Sequence, residues 1–123
     1  MEWKFTADRP VYQQIMEAVC GSVLQGELKP GQKVPSVREL AAQAKVNPNT
    51  MQRALTELER DGLLVGGGTS GRTVTTDSEI LETMRNDALQ RVARECAAKF
   101  QVLGVTPAQA AQLLLRLEQE KEE

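Results

Sequence analysis

Residues 34–62 constrain this chain most, because two helix starts are written into them only eleven positions apart. Ser36 is followed three residues later by Glu39. That spacing is a capping box, in which the serine oxygen accepts from a free backbone N–H at the helix start and the glutamate answers it. Asn47 then stands before Pro48. The asparagine side chain serves as a cap, and proline at the first helical position has a preset φ and no N–H to leave unsatisfied. The spacing predicts one helix over residues 37–44, a very short turn, and a second over 48–60 that Gly62 closes. Leu40, Met51, Leu55 and Leu58 give the pair an inward side.

The flanks extend the pattern. Residues 1–9 read as a lead-in in which Trp3 and Phe5 alternate with charged neighbours, an arrangement compatible with a strand-like edge. A first helix is expected from Pro10 to about Gln25, stopped by Gly26. Its apolar residues Val11, Ile15, Val19 and Val23 recur every four positions, joined by Tyr12, Met16, Cys20 and Leu24. Leu28-Lys-Pro-Gly31 has the composition of a tight turn. After Gly62, residues 63–65 and 72–76 are β-prone and flank the glycine-rich run from Gly66 to Gly71, which predicts a hairpin. Three helices and a hairpin are the parts of a winged helix-turn-helix.

A boundary is expected near residue 76. Thr76 and Glu79 have capping-box spacing and open a helix of about 25 residues that should stop at Gly104. Leu81, Met84, Ala88, Leu89, Val92, Cys96, Phe100 and Leu103 follow a helical stripe along it. Thr106, Pro107 and Gln109 start a last helix carrying Leu113, Leu114, Leu115 and Leu117, with an acidic end expected to fray. Two helices cannot enclose a core alone, so their apolar stripes need a partner. A second copy of the chain is the simplest one. The organisation is therefore mainly α with a small β-hairpin. An N-terminal winged helix-turn-helix over residues 1–76 is followed by a two-helix dimerisation tail over residues 77–123. The tail residues assigned to the interface are Leu81, Met84, Leu89, Val92, Cys96, Phe100, Leu103, Leu113, Leu114 and Leu117.

Composition narrows the chemistry. With no histidine and two cysteines, one chain cannot assemble a His/Cys zinc set or a histidine-based nucleophile pair. Neither a metal nor a cofactor is expected, and an enzyme is disfavoured. Cys20 and Cys96 lie far apart within helical patterns and read as buried free thiols rather than a disulfide. No apolar run approaches the roughly 18 residues needed to cross a bilayer. The opening Met-Glu-Trp-Lys-Phe lacks the layout of a secretory signal, so the expected location is the cytoplasm. Net charge is −2, unevenly placed. Residues 1–76 hold nine Lys/Arg against eight Asp/Glu, and residues 77–123 hold six against nine. Affinity for nucleic acid would have to come from a few placed basic groups and helix N-termini, not from a bulk positive field.

Asn47, Asn49, Thr50, Gln52 and Arg53 cluster in the first two turns of the third helix. Amides and guanidinium groups are the side chains that read adenine and guanine edges in the major groove. The same residues would also suit an ordinary capped surface helix. Arg38, at the start of the second helix, Ser36 and Arg72 are candidates for phosphate contacts. The run Gly66-Gly-Gly-Thr-Ser-Gly71 matches G-x-G-x-x-G by letter. A nucleotide fingerprint must lead into a helix, however, and here Arg72-Thr-Val-Thr-Thr76 follows, which is strand chemistry. The run is therefore assigned to a hairpin tip that can approach a minor groove closely.

Taken in order, Pro10-Val-Tyr-Gln-Gln-Ile15, Leu28-Lys-Pro-Gly-Gln32, Val34-Pro-Ser-Val-Arg-Glu-Leu40, Val46-Asn-Pro-Asn-Thr50 and Ala54-Leu-Thr-Glu-Leu-Glu-Arg-Asp-Gly-Leu-Leu64 resemble the GntR family of bacterial transcription regulators. The short tail resembles that of the family's YtrA-type subgroup. The resemblance implies a sequence-specific regulator, expected to be a repressor, bound as a homodimer to an inverted-repeat double-stranded DNA operator. It implies that Arg38, Asn47, Asn49, Thr50, Gln52 and Arg53 lie in the DNA-contacting segment and that Gly71 is the wing-tip glycine. Relatives often carry a basic Arg-Gly-Lys-Gly-like tip followed by Thr-Phe-Val. Thr69-Ser-Gly-Arg-Thr-Val74 here lacks the lysine and the aromatic anchor. The alternative class is a winged-helix protein-interaction adaptor without specific DNA binding. No convergent polar set points to a small-molecule effector, although a crevice between the tail helices leaves room for one.

Overall fold

The computed structural model describes residues 1–66 and 71–122. In chain order the elements are α1 (Val11–Leu24), α2 (Val37–Ala44), α3 (Pro48–Arg60), β1 (Leu64–Gly66), β2 (Arg72–Val74), α4 (Ser78–Val102) and α5 (Pro107–Glu122). This is the expected arrangement: five helices and a two-stranded antiparallel hairpin, with Leu64 opposite Val74 and Gly66 opposite Arg72. The tip residues 67–70, on which the glycine-run assignment falls, lie outside the described residues.

Two compact units are present, Met1–Arg85 and Asn86–Glu123. In the first, α1 and α2 both pack on α3, and α3 packs on β1. Ile15 and Val19 of α1, Leu40 of α2, Met51, Leu55 and Leu58 of α3, and Leu63, Leu64 and Val74 of the hairpin are wholly enclosed. The helical ones come from amphipathic stripes, and together with the hairpin residues they form one contiguous apolar cluster.

Local chemistry explains the helix boundaries. The Ser36 oxygen accepts from the Glu39 backbone N–H at 3.1 Å, and the Ser36 hydroxyl donates to the Glu39 carboxylate at 3.2 Å. The Asn47 side chain accepts from the Asn49 N–H at 2.8 Å. Between these helices Lys45 occupies the left-handed region at φ 58°, which lets the chain reverse within three residues. Gly62 closes α3 at φ 89°, and a Cβ there would also lie 3.1 Å from the Ile80 side chain. The positive φ favours glycine, and any larger residue would also have to push the Ile80 side chain aside.

The capping of α4 corrects one expectation. Asp77, not Thr76, caps this helix: its carboxylate accepts from the Glu79 N–H at 2.9 Å and the Ile80 N–H at 3.4 Å. Thr75 is buried and its hydroxyl accepts from the Asp77 N–H, which fixes the entry one residue later. At α5 the box is complete in both directions, with Thr106 N–H donating to the Gln109 side chain and Gln109 N–H to the Thr106 hydroxyl.

Three further differences arise from contacts between distant residues. Residues 1–9 form no strand; the buried Gln14 side chain instead holds them, donating to the Thr6 and Arg9 carbonyls and accepting from the Thr6 N–H. Residues 31–34 add a third edge to the hairpin. Gly31 N–H donates to the Val74 carbonyl, Val74 N–H to that of Gln32, and Val34 N–H to that of Arg72. The first turns of α4 also belong to the first unit. Leu81 and Met84, assigned by sequence to the dimer interface, are half-buried against the N-terminal apolar cluster. Their side chains therefore already have a partner within their own chain. In the second unit Ala110 is buried, Cys96 and Phe100 are half-buried, and most other large apolar side chains stand in solvent. Cys20 and Cys96 are half-buried, where full burial was expected, and neither is in a disulfide.

Candidate nucleic-acid interface

The geometry of α3 follows from its sequence. Met51, Ala54, Leu55 and Leu58 recur at helical spacing and are buried, which turns the opposite side outward. Asn49, Gln52, Arg53, Thr56 and Arg60 occupy that outward side and are exposed. Asn47 is exposed at the cap, and Thr50 is half-buried beside it. The capped N-terminus thus presents amides, a guanidinium and helix N–H groups together, the donor and acceptor set that can address base edges and phosphates.

The individual side chains are not equally available. The Asn47 carbonyl oxygen is occupied as a cap, which leaves its amino group outward. The Gln52 amide donates to the Thr56 hydroxyl at 3.1 Å, a bond that base recognition would exchange. Arg53 lies over the Tyr12 ring of α1, its guanidinium carbon 3.8 Å from the ring centroid. Arg38 is exposed in the first turn of α2, and Ser36 is committed to the Glu39 cap.

Arg72 is the largest departure from its expected role. Its Nε donates to the Glu59 carboxylate of α3 at 2.5 Å, and the side chains are only 14% and 25% exposed. The pair clasps β2 to α3 instead of reaching outward. Replacing Arg72 by Ala should cost about 1–2 kcal/mol of stability, because Glu59 would lose a charge-assisted partner in a partly shielded place. Urea unfolding would report this, and a change below about 0.3 kcal/mol would contradict the clasp.

Two exposed lysines belong to this surface although sequence reasoning missed them. Lys33 bridges to Thr73 in the added edge, and its Cε lies 3.3 Å from where a Cβ of Gly71 would be. Gly71 itself is at φ 80°, immediately before β2. Lys45 sits in the turn between α2 and α3. The turn position of Lys45 was visible in sequence; the placement of Lys33 depends on pairing across forty residues and was not.

Among the described residues, no group of three or more His, Cys, Asp or Glu side chains could hold a metal ion, and no helix is long and apolar enough to cross a membrane. The three-helix unit, its wing and the polar stripe on α3 define a winged helix-turn-helix protein of the DNA-reading class. The model of bacterial regulatory proteins of the gntR family matches residues 11–74, more than half of the chain. This chain belongs to the GntR family of bacterial transcription regulators.

Relatives extend the likeness beyond the reader. The chain is 35% identical over 106 residues to an uncharacterised helix-turn-helix transcriptional regulator, YhcF, of Bacillus subtilis, covering 86% of this chain and 88% of that protein. It is 43% identical over 88 residues to the transcriptional repressor YtrA of the same organism, covering 68% of each. Among solved structures, a GntR family transcriptional regulator from Listeria monocytogenes superposes with a TM-score of 0.80 at 28% identity, covering 91% of this chain and 98% of that one. These relatives are transcription regulators, and the family is not enzymatic.

Proposed function

We propose that this chain is a sequence-specific transcriptional repressor that works in the cytoplasm as a homodimer on an inverted-repeat operator. The observation that carries the reading is the stripe on α3. A capped helix buries Met51, Leu55 and Leu58 and turns Asn49, Gln52 and Arg53 to solvent at its N-terminal end. Asn49, Gln52 and Arg53 are the base-reading candidates. Arg38, Lys33, Lys45 and the N–H groups at the two helix starts are phosphate candidates that set the register. Ser36 caps α2 and Asn47 caps α3, with Thr50 half-buried in the first turn of α3, and Gly71 and Arg72 belong to the wing.

The homodimer rests on the second unit. Leu89 and Val92 of α4 and Leu114 and Leu117 of α5 are each half or more exposed. Exposed leucines repeated on both helices are an interface signature, and a second copy supplies a matching face by symmetry. A reader with little net positive charge also needs two half-sites to bind firmly. Repression as the sign of regulation is supported by the likeness to YtrA.

Selection of DNA from a random pool by the full chain tests the proposal as a whole. An enriched motif with two-fold symmetry is expected, and the absence of any enriched motif would leave a protein-interaction adaptor as the better reading. Within a selected site, Gln52→Ala should lose about 1–3 kcal/mol of affinity and relax the preference at one base pair of each half-site. Lys33→Ala should weaken all sequences alike and flatten the salt dependence. Identical behaviour of the two variants in a mobility-shift titration would argue against this division of roles.

A further inference from the structure

Tyr12 has no place in the functional reading so far, yet it touches the side chain on which that reading leans most. It lies in the first turn of α1, half-buried, and its hydroxyl accepts from the Gln13 amide at 3.3 Å. The α1 helix packs against α3. Over the ring sits the Arg53 guanidinium, 3.8 Å from the centroid and well inside the roughly 6 Å reach of a cation–π contact. Among the described residues Arg53 makes no ion pair, and its guanidinium rests on the ring.

The consequence is geometric. A long arginine side chain on an exposed helix face samples many rotamers, and fixing one on binding costs entropy. Stacking fixes it beforehand. With one face of the guanidinium on the ring, its N–H groups still radiate in the plane, where they can meet a phosphate or the paired acceptors of a guanine. The ring carries no acceptor on its face strong enough to compete with either. A carboxylate in the same place would hold Arg53 as firmly and silence it, as Glu59 does to Arg72.

We propose that Tyr12 is a positioning residue for DNA recognition, a ring on α1 that holds Arg53 of α3 in the conformation that meets DNA. This rests on α3 being the recognition helix. The Tyr12 hydroxyl has no part in it, so Tyr12→Phe should leave binding unchanged, whereas Tyr12→Leu, similar in apolar character but without the ring face, should weaken it.

The experiment is a mobility-shift titration of the full chain against a DNA fragment selected from a random pool. It uses the wild type, Tyr12→Phe, Tyr12→Leu, Arg53→Ala and the Tyr12→Leu/Arg53→Ala double variant. Tyr12→Leu is expected to lose about two- to fivefold in affinity in the parent chain and nothing further once Arg53 is gone. In the free wild-type protein the Arg53 Nε–Hε resonance should be shifted by the ring current, and Tyr12→Leu should remove the shift. Equal losses from Tyr12→Leu with and without Arg53 would show that the ring acts through α1 packing and overturn the proposal. So would a large Arg53→Ala effect alongside a neutral Tyr12→Leu, with the recognition reading of α3 left standing. Arg53→Ala without effect would remove both Arg53 and Tyr12 from recognition. If Tyr12→Leu does not fold, the wild-type resonance still decides, because an unshifted signal overturns the stacking.

Discussion

Changing Leu113, Leu114 and Leu117 together to Gln is expected to make the protein monomeric and to weaken operator binding by roughly two to four orders of magnitude. At about 100° per residue these three positions and the buried Ala110 fall within one stripe of α5. Leu89, Val92, Cys96 and Phe100 fall within a similar stripe of α4. The leucines are 40%, 50% and 58% exposed, so glutamine, itself a good helix former, should leave the chain folded while removing the adhesive surface. Leu115 is equally exposed at 59% but lies on the far side of α5, which makes Leu115→Gln the internal control. Sedimentation gives the oligomeric state and a titration gives the affinity. A triple variant that stays dimeric, or a monomer that binds as well as the parent, would remove the tail from the proposed mechanism.

That prediction leaves out Leu81 and Met84, and the reason shows how legibility in this sequence depends on distance along the chain. The limits of α2 and α3 were readable to the residue, because Ser36, Glu39, Asn47, Pro48 and Gly62 act on backbone groups no more than three positions away. Burial of Leu40, Met51, Leu55 and Leu58 was readable from helical spacing alone. The same spacing made Leu81 and Met84 look continuous with Leu89 and Val92. A stripe says which side of a helix is apolar; it does not say that the first turns cover one's own core while later turns remain open.

The site divides in the same way. Exposure of Asn49, Gln52 and Arg53 is a property of one helix and was legible. The Arg72–Glu59 clasp spans thirteen residues, the Lys33–Thr73 bridge forty, and the stack of Arg53 on Tyr12 forty-one. No local rule reaches these pairs, and each changes what a basic side chain can do. Arg72, assigned to the groove because it adjoins a glycine-rich tip, is turned inward. Lys33, given no role by the sequence, stands beside β2. The inventory of cations was in the sequence, but their division between holding the fold together and standing exposed was set by tertiary contacts.

The largest effect on the fold itself is expected from Leu55→Ala. Leu55 is wholly buried at the middle of α3, the helix on which α1, α2 and β1 all pack. Removing its branched end takes apolar surface out of the core and leaves a cavity that three packed elements cannot easily close. The expected loss is about 2–5 kcal/mol, against a total of about 5–15 kcal/mol for a typical domain. Helix propensity works the other way, since alanine is the better helix former, but by only a few tenths of a kcal/mol. Urea unfolding at fixed protein concentration should therefore show a much lower midpoint with an unchanged slope, because the surface exposed on unfolding barely changes. A loss below about 1 kcal/mol would mean that α3 is not the centre of the core. The consequence for function is direct. The exposed side of α3 carries Gln52 and Arg53, so the proposed recognition surface on this helix should lose affinity at temperatures where the parent is still folded, and regain it on cooling.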